Sequence, residues 1–200
     1  MRKSFQSAKI IFQKNNGILR TSQAIEKGID PKIMYEMVDA GILEREGRGI
    51  YRLANLPPLS NPDLVQIAVR VPNCVICLIS ALAFHALTTQ TPYKIYIAIP
   101  ENNKKPRIEY PPIDVVKLGE QSYSSGIEKH TLDGIEVKVY NKEKTVADCF
   151  KFRNKIGQDI AIDALKDYLG ESNRSIETLL HFARINRVEK VIKPYIEAIV

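Results

Sequence analysis

Residues 30–53 read DPKIMYEMVDAGILEREGRGIYRL, and this stretch decides how the beginning of the chain folds. Asp30 is a favourable helix N-cap, and Pro31 suits the first helical position because that position needs no N–H donor. Apolar residues then recur at helical spacing until Gly41, which predicts a helix with one buried face. Two short strand patterns follow, joined by the Gly-rich turn at 46–49. The stretch therefore predicts a helix followed by a β-hairpin.

Two further helical patterns precede this stretch. Residues 4–14 alternate apolar and polar side chains at helical spacing, and a second short helix ends at Gly28. Three helices followed by a basic hairpin indicate a winged helix-turn-helix, which presents its third helix to the DNA major groove and its wing to the backbone. The predicted DNA-binding residues lie on the third helix, on the wing and, as a weaker candidate, beside the second helix: Lys32, Tyr35, Arg45, Arg48, Arg52 and Arg20.

The charge distribution supports a DNA-binding role. Residues 1–56 hold ten Lys and Arg against six Asp and Glu, a net charge of +4, whereas residues 57–200 hold nineteen against seventeen, a net charge of +2. Phosphate neutralisation requires such a concentration of positive charge. The alternative is a winged helix that serves only as a protein–protein module, because Glu36 and Asp39 on the third helix would repel phosphates.

The proline-rich stretch 57–62 is the predicted linker between two domains. Its three prolines favour a stiff, extended connection, so we expect a winged-helix domain at 1–56 and a second domain at 63–200. In the second domain, helical and strand patterns follow one another, Ser80 is placed to cap a helix, and Asp133-Gly134 forms a hairpin turn within 127–140. The expected fold class is α+β: a small mixed sheet with helices at the C-terminus.

The general composition favours a soluble cytoplasmic protein. No apolar run approaches the length needed to span a membrane, and 44% hydrophobic residues in 200 suffice for a sizeable core. Three cysteines cannot all pair, which is typical of a reducing compartment.

One pattern is compatible with a metal-dependent nuclease. Asp114, followed by Glu136-Val137-Lys138, resembles the arrangement in which two carboxylates on neighbouring strands hold Mg²⁺ and a lysine polarises the phosphate. The alternative is an ordinary half-buried hairpin whose solvent face carries Glu136 and Lys138. We favour the hairpin, because such a pattern arises easily by chance.

A zinc site is the other chemical alternative. Cys74 and Cys77 have metal-ligand spacing, with His85 or Cys149 available to complete the set, but both cysteines lie in an apolar run without turn residues. Buried cysteines acting as small hydrophobes explain the pattern better. The sequence predicts no metal, no cofactor and no catalytic residues, and hence no enzyme.

The order of motifs along the chain resembles the abortive-infection E antitoxin (AbiEi) family. These antitoxins are the transcriptional-regulator half of type IV toxin–antitoxin pairs. No single motif is specific; the resemblance lies in the order and spacing of eight segments. These are GILRT at 17–21, GI at 28–29, AGILER at 40–45, RGIY at 48–51, ISALA at 79–83, a strand ending with IP at 99–100, GIEV at 134–137 and KTVAD at 144–148.

The resemblance implies a function in phage defence. It implies a DNA-binding repressor of its own operon that also counteracts a nucleotidyltransferase-like toxin encoded alongside, without a stable toxin complex being assumed. We place the antitoxic surface on basic residues of the second domain, although each could instead be an ordinary solvated residue at a helix end. These residues are Lys151, Arg153, Lys155, Arg184 and Arg187.

Overall fold

A computed structural model describes residues 2–199 of the chain. The elements follow one another in this order: α1 (Lys3–Gln13), β1 (Ile18–Arg20), α2 (Thr21–Glu26), α3 (Pro31–Asp39), β2 (Leu43–Gly47), β3 (Ile50–Leu53), α4 (Pro62–Arg70), β4 (Val75–Ile76), α5 (Leu78–Phe84), β5 (Ile95–Pro100), β6 (Ile113–Leu118), α6 (Glu120–Ser124), β7 (Ile127–Leu132), β8 (Ile135–Tyr140), α7 (Lys142–Lys151), α8 (Arg153–Ile156), α9 (Gln158–Gly170), α10 (Ile176–Ile185) and α11 (Glu189–Ile199).

The chain forms two compact units. Unit 1 comprises residues 2–72 together with Thr131–Val137, and unit 2 comprises Asn73–His130 together with 138–199. Helix α4 thus belongs to the same unit as the winged helix, although the predicted linker lies before it. The expected α+β class, with a mixed sheet and C-terminal helices, is confirmed.

Unit 1 contains the predicted winged helix. Asp30 caps α3 as expected, since its carboxylate accepts a hydrogen bond from the backbone N–H of Lys32 at 2.8 Å. The wing strands β2 and β3 pair antiparallel, with an irregularity between Arg45 and Gly47. A third strand, β1, pairs antiparallel with β3 and makes the wing a three-stranded sheet. Strand β1 was not predicted, because three residues are too few to show an alternating pattern.

Two apolar clusters lie in the part of unit 1 that the structure describes. The larger lies among α1, α2, α3 and the wing sheet and includes the fully buried Phe12, Met34 and Met37. The smaller joins Ile18 and Ile50 of the sheet to residues of α4, and Leu132 and Ile135 of the segment 131–137 pack against it. The second cluster explains why α4 and this segment belong to the winged-helix unit: both cover apolar surface of its sheet.

The second sheet has the strand order β6-β5-β4-β8-β7, and residues 131–137 of its strands β7 and β8 are counted with unit 1. It is mixed, because β4 is antiparallel to β5 and parallel to β8, while β5 and β6 are parallel. The turn between β7 and β8 is the predicted Asp133-Gly134 pair, with φ of 50° and 82°. Two successive positive φ angles are typical of a type I′ hairpin turn, which Asp and Gly favour.

Helices α5, α7, α9, α10 and α11 contribute to the core of unit 2. Asn141 caps α7 through a 2.8 Å hydrogen bond from the N–H of Lys144. The expectation that Ser80 caps α5 is wrong, because the helix begins at Leu78 and Ser80 lies inside it. Its buried hydroxyl instead accepts a hydrogen bond from the N–H of Tyr96 on β5.

The core of unit 2 also contains a charged network. Lys144 is 0% exposed, and its ammonium group pairs with the carboxylate of Asp148 one helical turn later. Asp148 accepts a second hydrogen bond from Asn186 at 2.6 Å, and Asn186 in turn accepts one from Ser122 at 2.9 Å. A buried ion pair needs such additional partners to offset its desolvation.

Candidate nucleic-acid interface

Helix α3 presents two of the predicted DNA-binding residues to solvent. Met34 and Met37 anchor its inner face, which leaves Lys32 exposed and Tyr35 50% exposed. Because Asp30 is held by the backbone at the start of α3, its carboxylate has a structural partner beside Lys32. An exposed cation and an aromatic ring on one helix are suited to contacts with base edges.

Arg45 on β2 lies against Tyr35. Its guanidinium carbon is 5.6 Å from the ring centroids of both Tyr35 and Tyr51, and its Nη2 donates a hydrogen bond to the Tyr51 hydroxyl at 3.3 Å. The two rings meet edge to face at 6.4 Å. The hydrogen bond with Tyr51 raises the pKa of the Arg45 guanidinium, which remains exposed. These contacts orient the cation towards solvent beside α3.

Arg48 is exposed on the wing turn. Arg20, at the end of β1, is half-buried, and its Nη1 donates a 2.9 Å hydrogen bond to the carbonyl of Arg70. We use the name wing–helix surface for the exposed set Lys32, Tyr35, Arg45 and Arg48.

Arg52 has a different environment from the other predicted DNA-binding residues. Only 5% of it is exposed, and it forms ion pairs with Glu46 and with Glu44. Its Nη1 also donates to the carbonyls of Leu56 and Pro57 at 3.1 and 2.8 Å. Arg52 thus ties the wing to the chain that follows it, and we leave it out of the wing–helix surface.

Arg2 and Arg70 were not predicted as part of this interface. Arg2 forms a 2.8 Å ion pair with Glu36, so one of the two carboxylates expected to repel phosphate has a cationic partner. Arg70 is the last residue of α4, beyond the predicted domain boundary. The sequence holds no signal that places either residue next to the wing or α3, because both contacts join distant segments of the chain.

The five basic residues predicted for unit 2 do not share one environment. Two of them are engaged with acidic groups: Lys155 pairs with Asp114, and Arg184 with Glu189 at 3.2 Å. Arg153 donates to the carbonyl of Phe150 at 2.8 Å.

Lys151 and Arg187 are the other two basic residues predicted for the antitoxic surface. Burial lowers the pKa of Lys151, and Arg187 is close enough to lower it further, while Asp148 opposes the shift. Arg187 is exposed. Lys151 is half-buried, so these two residues differ in exposure.

The nuclease alternative requires Asp114 and Glu136 on neighbouring strands, and this expectation is wrong. Asp114 lies on β6 and Glu136 and Lys138 lie on β8, with β5 and β4 between these strands. Three strand spacings of about 4.8 Å put β6 and β8 roughly 14 Å apart. Carboxylates that share one Mg²⁺ must each approach it to about 2 Å.

The cysteines are free and buried. Burial raises the pKa of the Cys74 thiol to about 12 and those of Cys77 and Cys149 well above their usual value. His85 Nε2 lies 2.7 Å from the carbonyl of Tyr140. Within residues 2–199 we find no group of three or more His, Cys, Asp and Glu able to hold a metal ion. None of the helices in this part of the chain is long and apolar enough to cross a membrane.

Comparison with known proteins identifies the wing-bearing region. Residues 6–54 match the family described as "Transcriptional regulator, AbiEi antitoxin". The fold of the chain is similar to that in the crystal structure of the RV2827C protein from Mycobacterium tuberculosis, with a TM-score of 0.59, 12% identity, and coverage of 98% of this chain and 82% of that one. At this identity the likeness concerns the fold alone. No curated protein matches the chain. The similar segments at 79–83, 99–100, 134–137 and 144–148 lie outside the matched residues. The resemblance to the abortive-infection E antitoxins is thus confirmed for residues 6–54, which match the AbiEi antitoxin family of transcriptional regulators.

Proposed function

We propose that this chain represses transcription of its own operon by binding double-stranded DNA, and that it also counteracts a nucleotidyltransferase-like toxin encoded alongside. The family matched at 6–54 is one of antitoxin transcriptional regulators, which supports the regulatory role. The observation that carries the DNA-binding half is the wing–helix surface, where Arg45 is held between two tyrosines beside the exposed Lys32 of α3.

The wing–helix surface supports a division of labour on DNA. Lys32 and Tyr35 on α3 contact base edges in the major groove, while Arg48 contacts phosphates or the flanking minor groove. Arg45 joins the two, because it projects from the wing but packs on Tyr35 of the helix. The ion pair between Arg2 and Glu36 lowers the repulsion between the acidic side of α3 and the phosphates.

The test of DNA binding is fluorescence anisotropy on the upstream region of the protein's own operon over a series of salt concentrations. Loss of one phosphate contact in Arg48→Ala should weaken binding to all sequences and reduce the salt slope by about 0.9. Lys14→Ala removes an exposed charge that we do not assign to DNA and serves as the control. Salt-independent binding, or equal binding by both variants, would contradict the proposal.

The antitoxic role is assigned to unit 2. Lys155 and Arg184 pair with acidic residues, so Lys151 and Arg187 are the residues to test first. Unit 1 includes residues 131–137 from the second half of the chain. Point variants therefore separate the two roles more cleanly than a truncation at the predicted linker.

Growth rescue and promoter repression, measured on the same variants, test this assignment. Lys151→Gln with Arg187→Gln should lose protection against the co-expressed toxin and keep repression in a promoter-reporter assay. Arg48→Ala should show the reverse. If the Arg48 variant alone loses protection, the antitoxic effect comes from repression and the assignment to unit 2 is wrong.

A further inference from the structure

The wing of unit 1 rests on helix α4, a helix that lies outside the matched residues 6–54. Arg70, the last residue of α4, donates a hydrogen bond from Nη2 to the carbonyl of Arg48 at 3.1 Å. The carbonyl of Arg70 accepts the 2.9 Å hydrogen bond from Arg20 Nη1. One residue of α4 therefore contacts both the wing turn and the end of β1.

Gly47 shows how closely the wing approaches α4. A Cβ at this position would lie 2.8 Å from Oε1 of Gln66 and 2.9 Å from Nη2 of Arg70. Its backbone is not in the left-handed region, so the space around it, and not its φ, favours glycine here. The wing turn is thus seated on Gln66 and Arg70 and is not a free arm.

The last turn of α4 is a favourable place for the guanidinium of Arg20. Arg20 donates to a carbonyl in the last turn of α4, where the helix dipole places partial negative charge. Arg70 lies in the same turn and donates to the wing backbone. The end of α4 thereby holds two guanidinium groups and the backbone of Arg48 in one place.

We infer that Arg70 is a positioning residue for DNA binding: it fixes the wing turn on α4, and thereby the point from which Arg48 reaches phosphate. This inference rests on the proposed role of the wing in DNA binding. It makes α4 part of the DNA-binding unit and gives Gly47 and Gln66 a role in seating the wing. A pre-positioned wing binds more tightly because less conformational freedom is lost on binding.

Limited trypsin digestion of the full chain tests the seat without DNA. Arg70→Gln removes the contact to the carbonyl of Arg48, and we expect cleavage after Arg48, followed by mass spectrometry, to become several-fold faster. Gly47→Ala should have the same effect without a change of charge, because the added Cβ displaces only the flexible ends of Gln66 and Arg70. Lys14→Gln is the matched control and should leave the rate unchanged. Unchanged cleavage in both wing variants would overturn the inference.

DNA affinity and its salt dependence test the consequence of the seat. Arg70→Gln and Gly47→Ala should weaken binding several-fold and leave the salt slope unchanged, whereas Arg48→Ala should lower the slope by about 0.9. A slope lowered by the same amount in Arg70→Gln would make Arg70 itself a phosphate contact and overturn the positioning role. If the unaltered protein does not bind the DNA, the proposed function fails while the trypsin rates still decide whether the wing is seated. If Arg70→Gln does not fold, Gly47→Ala carries both measurements.

Discussion

Arg45 in unit 1 and Lys144 in unit 2 are both cations lying against tyrosine rings, yet they are used in opposite ways. Arg45 lies 5.6 Å from two rings and is exposed, whereas Lys144 lies 4.4 Å from the ring of Tyr140 and is 0% exposed. The ammonium group of Lys144 forms a buried ion pair with the carboxylate of Asp148. The charge of Arg45 is oriented but left available to a ligand from solvent. A cation therefore indicates a binding surface only where it is exposed to solvent and has a fixed orientation.

Net charge alone does not distinguish the two units. With the unit boundaries of the structure, unit 1 holds eleven Lys and Arg against nine Asp and Glu, a net charge of +2. Unit 2 holds eighteen Lys and Arg against fourteen Asp and Glu, a net charge of +4. The excess of positive charge in residues 1–56 is offset once α4 and residues 131–137 are included. The exposed positions of the cations, and not the net charge of the unit, therefore support DNA binding.

The largest expected effect comes from breaking the buried pair of unit 2. Lys144→Ala leaves the carboxylate of Asp148 buried without its cation, and we expect the free energy of unfolding to fall by about 3–5 kcal/mol. Denaturant unfolding measures this. Lys166→Ala breaks an exposed pair with Asp163 and should cost less than about 1 kcal/mol.

A double variant sharpens the interpretation. Lys144→Met with Asp148→Asn removes both charges, and the new amide oxygen can still accept the hydrogen bond from Asn186. We expect this variant to regain most of the stability lost in Lys144→Ala. A double variant as unstable as the single one would mean that lost packing, and not an unpaired charge, causes the loss.

A smaller effect is expected at the second apolar cluster of unit 1. Val65 on α4 is fully buried against Ile18 and Ile50, so Val65→Ala should reduce the free energy of unfolding by about 2–3 kcal/mol. Ile10→Ala, at a half-exposed position of α1, is the control and should change it far less. Equal small losses would show that α4 contributes little to unit 1 and would restore a domain boundary near residues 57–62.

A comparable or smaller effect, confined to DNA recognition, is expected on the wing–helix surface. Lys32→Ala should reduce discrimination at one base position by about 1–3 kcal/mol and leave the fold intact, because Lys32 is exposed. Competition binding with single-base variants of the operator measures this. A uniform loss across all sequences would reassign Lys32 to a phosphate contact.

Local chemistry explains which features could be predicted from sequence. Asp30 and the Asp133-Gly134 turn act within a few residues of themselves, and the structure contains the cap and the hairpin turn that they predict. Arg70 could not be interpreted in this way, since its partner, the carbonyl of Arg48, is distant in the sequence. The partners of Arg52 are close in the sequence, but only the fold of the hairpin and of the chain after it turns them towards the guanidinium. The sequence pattern around an arginine in a predicted wing is the same whether the side chain is exposed or is buried in ion pairs.

The smallest expected effect is a pH dependence of stability in unit 2. Burial lowers the pKa of His85 from its usual 6.5, although the contact of Nε2 with the Tyr140 carbonyl and the charge of Glu128 oppose the shift and His130 and Lys142 reinforce it. The unfolded chain therefore binds a proton at a pH where folded His85 does not. The stability from neutral His85 is fully present above about pH 6.5 and is lost as the pH falls towards the lower folded pKa.

Unfolding midpoints at about pH 7.5 and about pH 5.5 test this expectation. His85→Gln cannot take up a proton but keeps a donor for the carbonyl of Tyr140, so it should lose less stability on acidification than the unaltered protein. His181→Gln, at an exposed position of α10, should behave like the unaltered protein. If His85→Gln loses as much stability on acidification as the His181 variant, another group causes the acid sensitivity. The half-buried imidazole of His85 would then not contribute to the loss of stability in acid.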